Sequence, residues 1–190
     1  MPKGQPIEKL NKEQAQQFME EALLKSLKYP KRSVCNSFDL EVLRGLERYG
    51  MKEHLLTKAA QAIKDMCLPI TSAHGDLHIN NMIMLGGELR IIDWAMYNSK
   101  GSFITDYIHF YNYQQAISNK QSWAVAILAE RLYLEKLAQL LSIGPTQLRI
   151  AYAISRIYGE VYQQRKLSLI PPQQIVKYNN VLEQLTTNAI

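Results

Sequence analysis

Residues 74–94 read HGDLHINNMIMLGGELRIIDW, and this stretch decides the class of fold. Two short apolar runs lie on either side of Gly86-Gly87. Paired glycines adopt the positive φ angles that a two-residue hairpin turn requires. The sequence therefore predicts two antiparallel strands joined by a tight turn, over Asn81 to Leu85 and Glu88 to Trp94.

Helical patterns surround the hairpin on both sides. Before it, apolar residues recur at helical spacing in residues 9–28, 38–49 and 52–66. After it, residues 122–141 and two segments that open at Gly144-Pro145 and Pro171-Pro172 are typical of helices. The sequence predicts an α+β fold that is mostly α, in which residues 1–70 form a helical segment before the hairpin.

Length and composition exclude several classes of protein. The chain has 190 residues, 47% of them hydrophobic, which is enough for one structural domain with one core. The net charge of +5 is spread along the chain, so nucleic-acid binding is not expected. No apolar run approaches the roughly 20 residues of a membrane span, and no secretory signal is evident. Two cysteines outside any CxxC motif favour a reducing, cytoplasmic compartment and argue against structural zinc.

Three polar residues in this stretch point to a chemistry. Asp76 and Asn81 are five residues apart in a loop that enters the first strand, and Asp93 ends the second strand. Because a hairpin returns to its starting point, Asp93 is expected near the loop. Carboxylate and carboxamide oxygens suit Mg²⁺, which also binds substrate phosphates. Kinases use this spacing, so the sequence predicts ATP-dependent phosphoryl transfer with Mg²⁺.

The motif resembles that of a known family. HGDLHINN followed by IIDW closely resembles the aminoglycoside-phosphotransferase and choline-kinase-like family, whose usual pattern is HGDxHxxN, a short hairpin and IDW. That family continues with a segment like GDPxxDLA. Here Gly101 and Asp106 keep their separation, while Ser102 and Phe103 replace the usual Asp-Pro. The resemblance covers residues 74 to about 110.

The resemblance implies a fold and an activity. It makes residues 71–190 the carboxy-terminal lobe of the protein-kinase-like fold, with a catalytic loop at 74–81, a metal-binding hairpin at 82–94 and helices after it. The activity it implies is transfer of the γ-phosphate of ATP, or of another nucleoside triphosphate, to the hydroxyl of a small molecule.

The resemblance also assigns roles to single residues. Asp76 becomes the catalytic base or the carboxylate that orients the acceptor hydroxyl. Asn81 and Asp93 become the ligands of Mg²⁺ on the nucleotide. Three further residues receive supporting roles: His74, which hydrogen-bonds loop backbone, His78, and Asp106, which braces the loop.

The amino-terminal lobe of such a kinase is not recognisable in the sequence. No GxGxxG motif and no strand lysine precede His74, so the β lobe that would cover the nucleotide phosphates is absent. Three interpretations stay open: a fragment of a longer kinase, one half of a split enzyme that pairs with a separate lobe or a second copy, or a shortened relative. In each case the isolated chain is expected to be a slow kinase or none.

Two other functions compete with the kinase hypothesis. His74, Asp76 and His78 would share one face of a strand and, with Asp93 or His109, form the site of a metal-dependent phosphoesterase. Gly75 and Asn80-Asn81 favour a loop over that strand. The other alternative is a non-catalytic binding or scaffold protein that retains the motif. His109 by itself is typical of an ordinary core or surface histidine.

The charge beyond the motif limits the acceptor. Only four acidic residues follow Asp106, and basic residues outnumber them. A strongly cationic acceptor is therefore disfavoured. The expected acceptor is a neutral or singly charged hydroxyl compound, such as a sugar or an amino alcohol.

Overall fold

The computed structural model describes residues 7–164 and 167–187, and it is mostly helical with few, short strands. The helices are α1 (Lys12–Ser26), α2 (Leu40–Arg44), α3 (Glu53–Ile63), α4 (Phe103–Ser118), α5 (Trp123–Ala126), α6 (Leu132–Leu141), α7 (Pro145–Gln164) and α8 (Pro172–Thr187). The strands are β1 (Ile7–Lys9), β2 (Lys31–Ser33), β3 (Cys67–Pro69), β4 (Met82–Leu85) and β5 (Glu88–Ile91). The predicted α+β class, mostly α, is confirmed.

The predicted hairpin is present as β4 and β5. The strands pair antiparallel with Leu85 opposite Glu88, and the two turn glycines have φ angles of 59° and 80°. The second strand is shorter than predicted, since it ends at Ile91 and not at Trp94. The reason is local, because Asp93 adopts a left-handed φ of 61° that ends the extended backbone.

The prediction that residues 1–70 are helical is wrong for three short segments. β1 pairs with β4 and makes the hairpin a three-stranded sheet, in the order β1-β4-β5. β2 and β3 pair with each other as a separate two-stranded ribbon. Strands of three residues are too short to show an alternating pattern, and their partners are distant in sequence. Residues 1–6 of the predicted segment lie outside the described residues.

Two of the predicted helices are interrupted. The predicted helix over 38–49 is α2 followed by a tighter 3₁₀ turn over Gly45–Tyr49, which Gly50 ends with a φ of 99°. The predicted helix over 122–141 is two helices, α5 and α6, with extended backbone at Arg131 between them. No glycine or proline lies there, so the break has no local signal in the sequence.

Helix α7 lies in the centre of the core. It packs against α3, α4, α6 and α8, and its apolar face, which includes Ile150, Ile154 and Ile157, is buried. The same helix carries Arg156 and Glu160 inward at its carboxy-terminal half, beside the loop at 74–81. No helix in the described part of the chain combines the length and apolarity that a membrane span requires.

The segment after β5 supports the loop at 74–81 from one side. Ala73 and Asn98 form an isolated antiparallel bridge, with both backbone hydrogen bonds at 2.9 Å. A Cβ atom at Gly101 would lie 2.5 Å from the Ala73 Cβ, so only glycine permits this approach. Ser102 then caps α4, since its hydroxyl accepts the Ile104 N–H. Ser102 therefore serves as a cap at a position where the family pattern usually has Asp.

Candidate functional site

Asp106 holds the start of the loop at 74–81. Its carboxylate accepts the backbone N–H groups of His74 at 2.7 Å and Gly75 at 2.8 Å. The side chain belongs to the first turn of α4 and is only 2% exposed. Burial raises the pKa of Asp106 to about 7, against the effect of these two hydrogen bonds. The contact is the one expected of a residue that braces the loop.

His74 links the loop to the end of β5. Its Nε2 lies 2.9 Å from the Ile92 carbonyl oxygen, and its Nδ1 accepts the Asp76 N–H at 3.3 Å. This pattern requires the proton on Nε2, and burial lowers the pKa of His74, which favours the neutral ring. Both ring nitrogens are therefore used in backbone hydrogen bonds.

The histidine geometry does not assemble the phosphoesterase site. With both nitrogens of His74 engaged, this residue has no lone pair for a metal. Within residues 7–164 and 167–187, no group of three His, Cys, Asp or Glu side chains is placed to hold a metal ion. The strand on which that alternative depends is also missing, since residues 74–78 are loop.

Gly75 is required by its surroundings. Its φ is +84°, and a Cβ atom there would lie 2.3 Å from the Met96 carbonyl oxygen. Because the obstacle is backbone, it cannot move aside as a side-chain end would.

We expect Gly75→Ala to lower the free energy of unfolding by about 3–4 kcal/mol, from a left-handed φ and from overpacking. Gly87→Ala is the matched control, because Gly87 has nearly the same φ, +80°, with nothing within 4 Å of its added Cβ. It should cost only about 1–2 kcal/mol. Urea denaturation measures the free energy of unfolding of both variants. Equal losses would contradict the clash between the added Cβ at residue 75 and the Met96 carbonyl oxygen.

Asp76 has one occupied and one more open carboxylate oxygen. Oδ1 lies 2.6 Å from Arg156 Nη1 and 3.1 Å from His109 Nε2. Among the described residues, the basic group that lies nearest to Oδ2 is His78 Nε2, at 3.7 Å. Burial alone would raise the pKa of Asp76, but the two histidines and Arg156 hold it well below its usual range. Asp76 is therefore ionised at neutral pH, with Oδ2 free to accept a hydrogen bond.

Arg156 connects Asp76 to an anchored carboxylate. Its Nη1 also donates to the Gly75 carbonyl oxygen at 2.9 Å, and its Nε donates to Glu160 Oε1 at 2.9 Å. Glu160 in turn accepts hydrogen bonds from Trp123 Nε1 at 2.8 Å and Tyr178 Oη at 2.7 Å. Arg156 is thus fixed from α5 and α8 as well as from its own helix.

His109 lies at the site, although by itself it is typical of an ordinary histidine. Its Nε2 lies 3.1 Å from Asp76 Oδ1, and its Nδ1 lies 2.9 Å from Tyr152 Oη. Burial, with the charge of Arg156, lowers the pKa of His109 to about 4. His78 stacks on Tyr113 with ring centroids 4.1 Å apart. Both imidazoles therefore form one wall beside Asp76.

Asn81 joins the loop to the hairpin. Its side-chain Nδ2 donates to the backbone carbonyl oxygen of Asp76 at 2.9 Å. Its backbone carbonyl oxygen accepts the Ile92 N–H at 3.0 Å. Asp93 follows Ile92 directly, so the backbone brings it to the end of the hairpin where Asn81 lies. Asp93 is exposed and forms no ion pair with any residue in the described ranges.

The side-chain oxygens at this end of the hairpin are of the kind that hard divalent cations bind. Because its amide nitrogen is committed to the Asp76 carbonyl, Asn81 has its amide oxygen left as a ligand. The exposed Asp93 carboxylate supplies a second oxygen. Two protein oxygens suit Mg²⁺, which takes its other ligands from phosphates and water. Trp94, half exposed, packs on His74 beside this position, with ring centroids 4.6 Å apart.

Two residues of the site, Arg156 and Glu160, are not predicted by the sequence, and His109 is predicted only as a ligand of the phosphoesterase alternative. His109 lies three residues after Asp106 on α4, and Arg156 and Glu160 lie four apart on α7, so each pair shares a helix face. That spacing is the only sequence signal. The contact between Arg156 and Asp76 spans 80 residues of chain, which no local pattern indicates.

No protein-family model, no curated protein and no solved structure matches this chain. The function is therefore inferred from these residues and their geometry.

Proposed function

We propose that the protein transfers the γ-phosphate of ATP to the hydroxyl of a small molecule, with Mg²⁺ as the metal, and that it is built as the carboxy-terminal lobe of the protein-kinase-like fold. One observation carries this proposal. The Asn81 side chain holds the Asp76 backbone while the Asn81 backbone pairs with Ile92, next to Asp93. These contacts support the proposal because they join Asp76, Asn81 and Ile92, the residue before Asp93, at one end of the hairpin.

Asp76 orients the acceptor in this proposal. Its pKa lies well below the usual range, so it accepts a hydrogen bond from the hydroxyl at Oδ2 and does not retain the proton. Phosphoryl transfer has a loose transition state in most analyses and depends on positioning more than on a strong base. Asp106 and His74 hold the loop backbone in place while Asp76 does this.

Asn81 and Asp93 would hold the magnesium of the nucleotide. Bound there, the ion would neutralise charge on the transferring phosphates. Asp106 does not compete for the ion, since its carboxylate is buried against backbone N–H groups. Asp76 is only partly available to the ion, because Arg156 occupies its Oδ1.

The expected rate is low without a second lobe. The strands in the described part of the chain form one three-stranded sheet and one two-stranded ribbon, and the sequence has no glycine-rich phosphate loop. A separate lobe or a second copy of the chain would supply that cover. The free thiols Cys35 and Cys67 fit the reducing cytoplasm, where ATP is available.

A second function is favoured by the contact at Asp76. Arg156 Nη1 lies 2.6 Å from Oδ1, which reduces the charge that Asp76 presents to an acceptor. A protein that binds a metal nucleotide without transferring phosphate would tolerate this pairing. Both functions use Asn81 and Asp93 as ligands, so a nucleotide-binding measurement does not distinguish them. A turnover measurement does.

The test is calorimetric titration with Mg-ATP, followed by a turnover assay. We expect Asn81→Ala and Asp93→Ala to weaken Mg-ATP binding by at least about tenfold, since each removes a metal ligand. Asp76→Asn should bind Mg-ATP like the wild type and lose about 10²–10⁴-fold in turnover. Glu88→Gln, an exposed acid on β5, is the control and should change neither quantity.

Binding that survives Asp93→Ala would overturn the assigned metal site. Normal turnover in Asp76→Asn would overturn the role of Asp76 in transfer. Mg-ATP binding with no turnover in the wild type, whatever acceptor is offered, would favour the non-catalytic alternative.

A further inference from the structure

A cleft of about 710 Å³ opens beside the catalytic loop. Gly75 forms part of its wall, next to Asp76 in sequence. The remaining wall comes from residues 35–41, residues 96–100 and one face of α7. Its volume lies within the range of about 300–1,000 Å³ that is usual for small-molecule sites. A molecule in this cleft would lie against the loop that carries Asp76.

The polar part of the cleft wall is preformed. Asn98 Nδ2 donates to the Ser37 carbonyl oxygen at 2.7 Å, and Asn98 Oδ1 accepts the Lys100 N–H at 2.9 Å. The first bond ties residues 96–100 to the segment at 35–41, and the second holds the Asn98 side chain within its own loop. The hydroxyls of Ser99 and Ser155 also line the cleft. A rigid wall of amides and hydroxyls can donate to and accept from ligand hydroxyl groups without ordering cost.

Aromatic rings form the other part of the wall. Tyr158 and Tyr162 stack on one face of α7, with centroids 6.0 Å apart and planes within 25°. Phe38 packs against Tyr158, with ring centroids 6.3 Å apart, and Tyr97 also lines the cleft. Tyr162 is 60% exposed, so its ring surface is available to a ligand. Such rings offer flat apolar surface to the C–H faces of a ring-shaped molecule.

The charges in the cleft nearly cancel. Glu41 pairs with Arg44, and Asp39 Oδ1 accepts the Glu41 N–H as a helix cap. Lys100 also lines the cleft and carries the opposite charge to Asp39. A wall without a dominant sign gives little selection for an ionic ligand.

We infer that this cleft binds a neutral, hydroxyl-rich ring compound of the carbohydrate class. The inference deepens the proposed function and rests on it, because the bound sugar would be the phosphate acceptor. The aromatic rings and amides of the cleft match the C–H faces and hydroxyls of a sugar. The balanced charge of the cleft does not favour an amino alcohol.

Direct binding without nucleotide tests this inference separately from transfer. The probes are the methyl α-pyranosides of glucose, mannose and galactose, with choline as the singly charged comparison. Saturation-transfer NMR on the full chain reports binding, and titration gives each Kd. We expect at least one glycoside to bind and choline not to bind.

Two variants locate the binding. Tyr162→Ala removes an exposed ring of the cleft and should weaken glycoside binding about 5- to 10-fold. Ser99→Trp fills the cleft from an exposed loop position and should abolish binding. Tyr29→Ala is the matched control, since Tyr29 is similarly exposed, at 54%, and does not line the cleft.

Each outcome decides one point. No glycoside binding, binding of choline alone, or glycoside binding unchanged in both cleft variants overturns the inference. Glycoside binding that is lost in the cleft variants supports it. If the glycoside binds as expected and is never phosphorylated by wild type that binds Mg-ATP, the proposed transfer fails while the binding site stands.

Discussion

Arg156→Leu is expected to lower the free energy of unfolding by about 3–5 kcal/mol, the range for removing one partner of a buried charge pair. Arg156 is only 13% exposed, and its guanidinium reaches two carboxylates and a carbonyl oxygen. Leucine leaves Glu160 with its charge uncompensated among Trp123 and Tyr178. Urea denaturation followed by circular dichroism measures the loss.

Arg149→Leu is the matched control for this substitution. Arg149 lies two turns earlier on α7 and is similarly buried, at 11% exposed. Its contacts are longer, 3.4 Å to the Ala129 carbonyl oxygen and 3.9 Å to Glu135, and its Nε has no partner in the described residues. We expect a loss of about 1 kcal/mol or less, since little hydrogen bonding is removed.

A second variant separates lost charge pairing from lost packing. Adding Glu160→Gln to Arg156→Leu removes the uncompensated carboxylate and keeps an acceptor for Tyr178. Part of the lost stability should therefore return in the double variant. If Arg156→Leu unfolds at the same urea concentration as Arg149→Leu, the guanidinium is not the support of Asp76 that the contacts indicate.

The hairpin and its loop could be predicted because their signals are local. Gly86-Gly87 fixes the turn, and the pairing that follows from it places Ile92 opposite Asn81. The bracing role of Asp106 is implied by a motif that spans residues 74–106. Such features depend on a turn type and a short register, which neighbouring residues determine.

The support of Asp76 and the extra strands could not be predicted in this way. In the sequence, Arg156 is an ordinary charged residue of an amphipathic helix, and nothing there indicates that α7 packs into the core. β1 becomes a strand only because β4 lies beside it, since three residues carry no period of their own. The Arg156 contact and the pairing of β1 with β4 each join segments more than 70 residues apart, and β2 and β3 also pair across more than 30 residues. A single sequence does not indicate such contacts.

The pH dependence of stability should reveal the buried His109. Its pKa of about 4 in the folded protein lies below the ordinary 6.5, so between these values the unfolded chain binds a proton that the folded chain does not. The contribution of His109 is therefore present above pH 6.5 and lost as the pH falls through 4. Asp106 acts in the opposite sense, because its raised pKa of about 7 makes its contribution greatest below pH 3.8 and lost as the pH rises through 7.

The contributions of His109 and Asp106 to the free energy of unfolding change with pH in opposite directions. Single variants are therefore needed to separate them. The difference in unfolding free energy between wild type and His109→Gln should grow by about 3 kcal/mol from pH 4 to pH 6.5, since each pKa unit corresponds to about 1.4 kcal/mol. The difference between wild type and Asp106→Asn should shrink over the same range. Urea titrations at pH 4.5, 5.5, 6.5 and 7.5 measure both differences. If the difference for His109→Gln does not change with pH, the His109 ring is solvated and does not face Asp76 from a buried position.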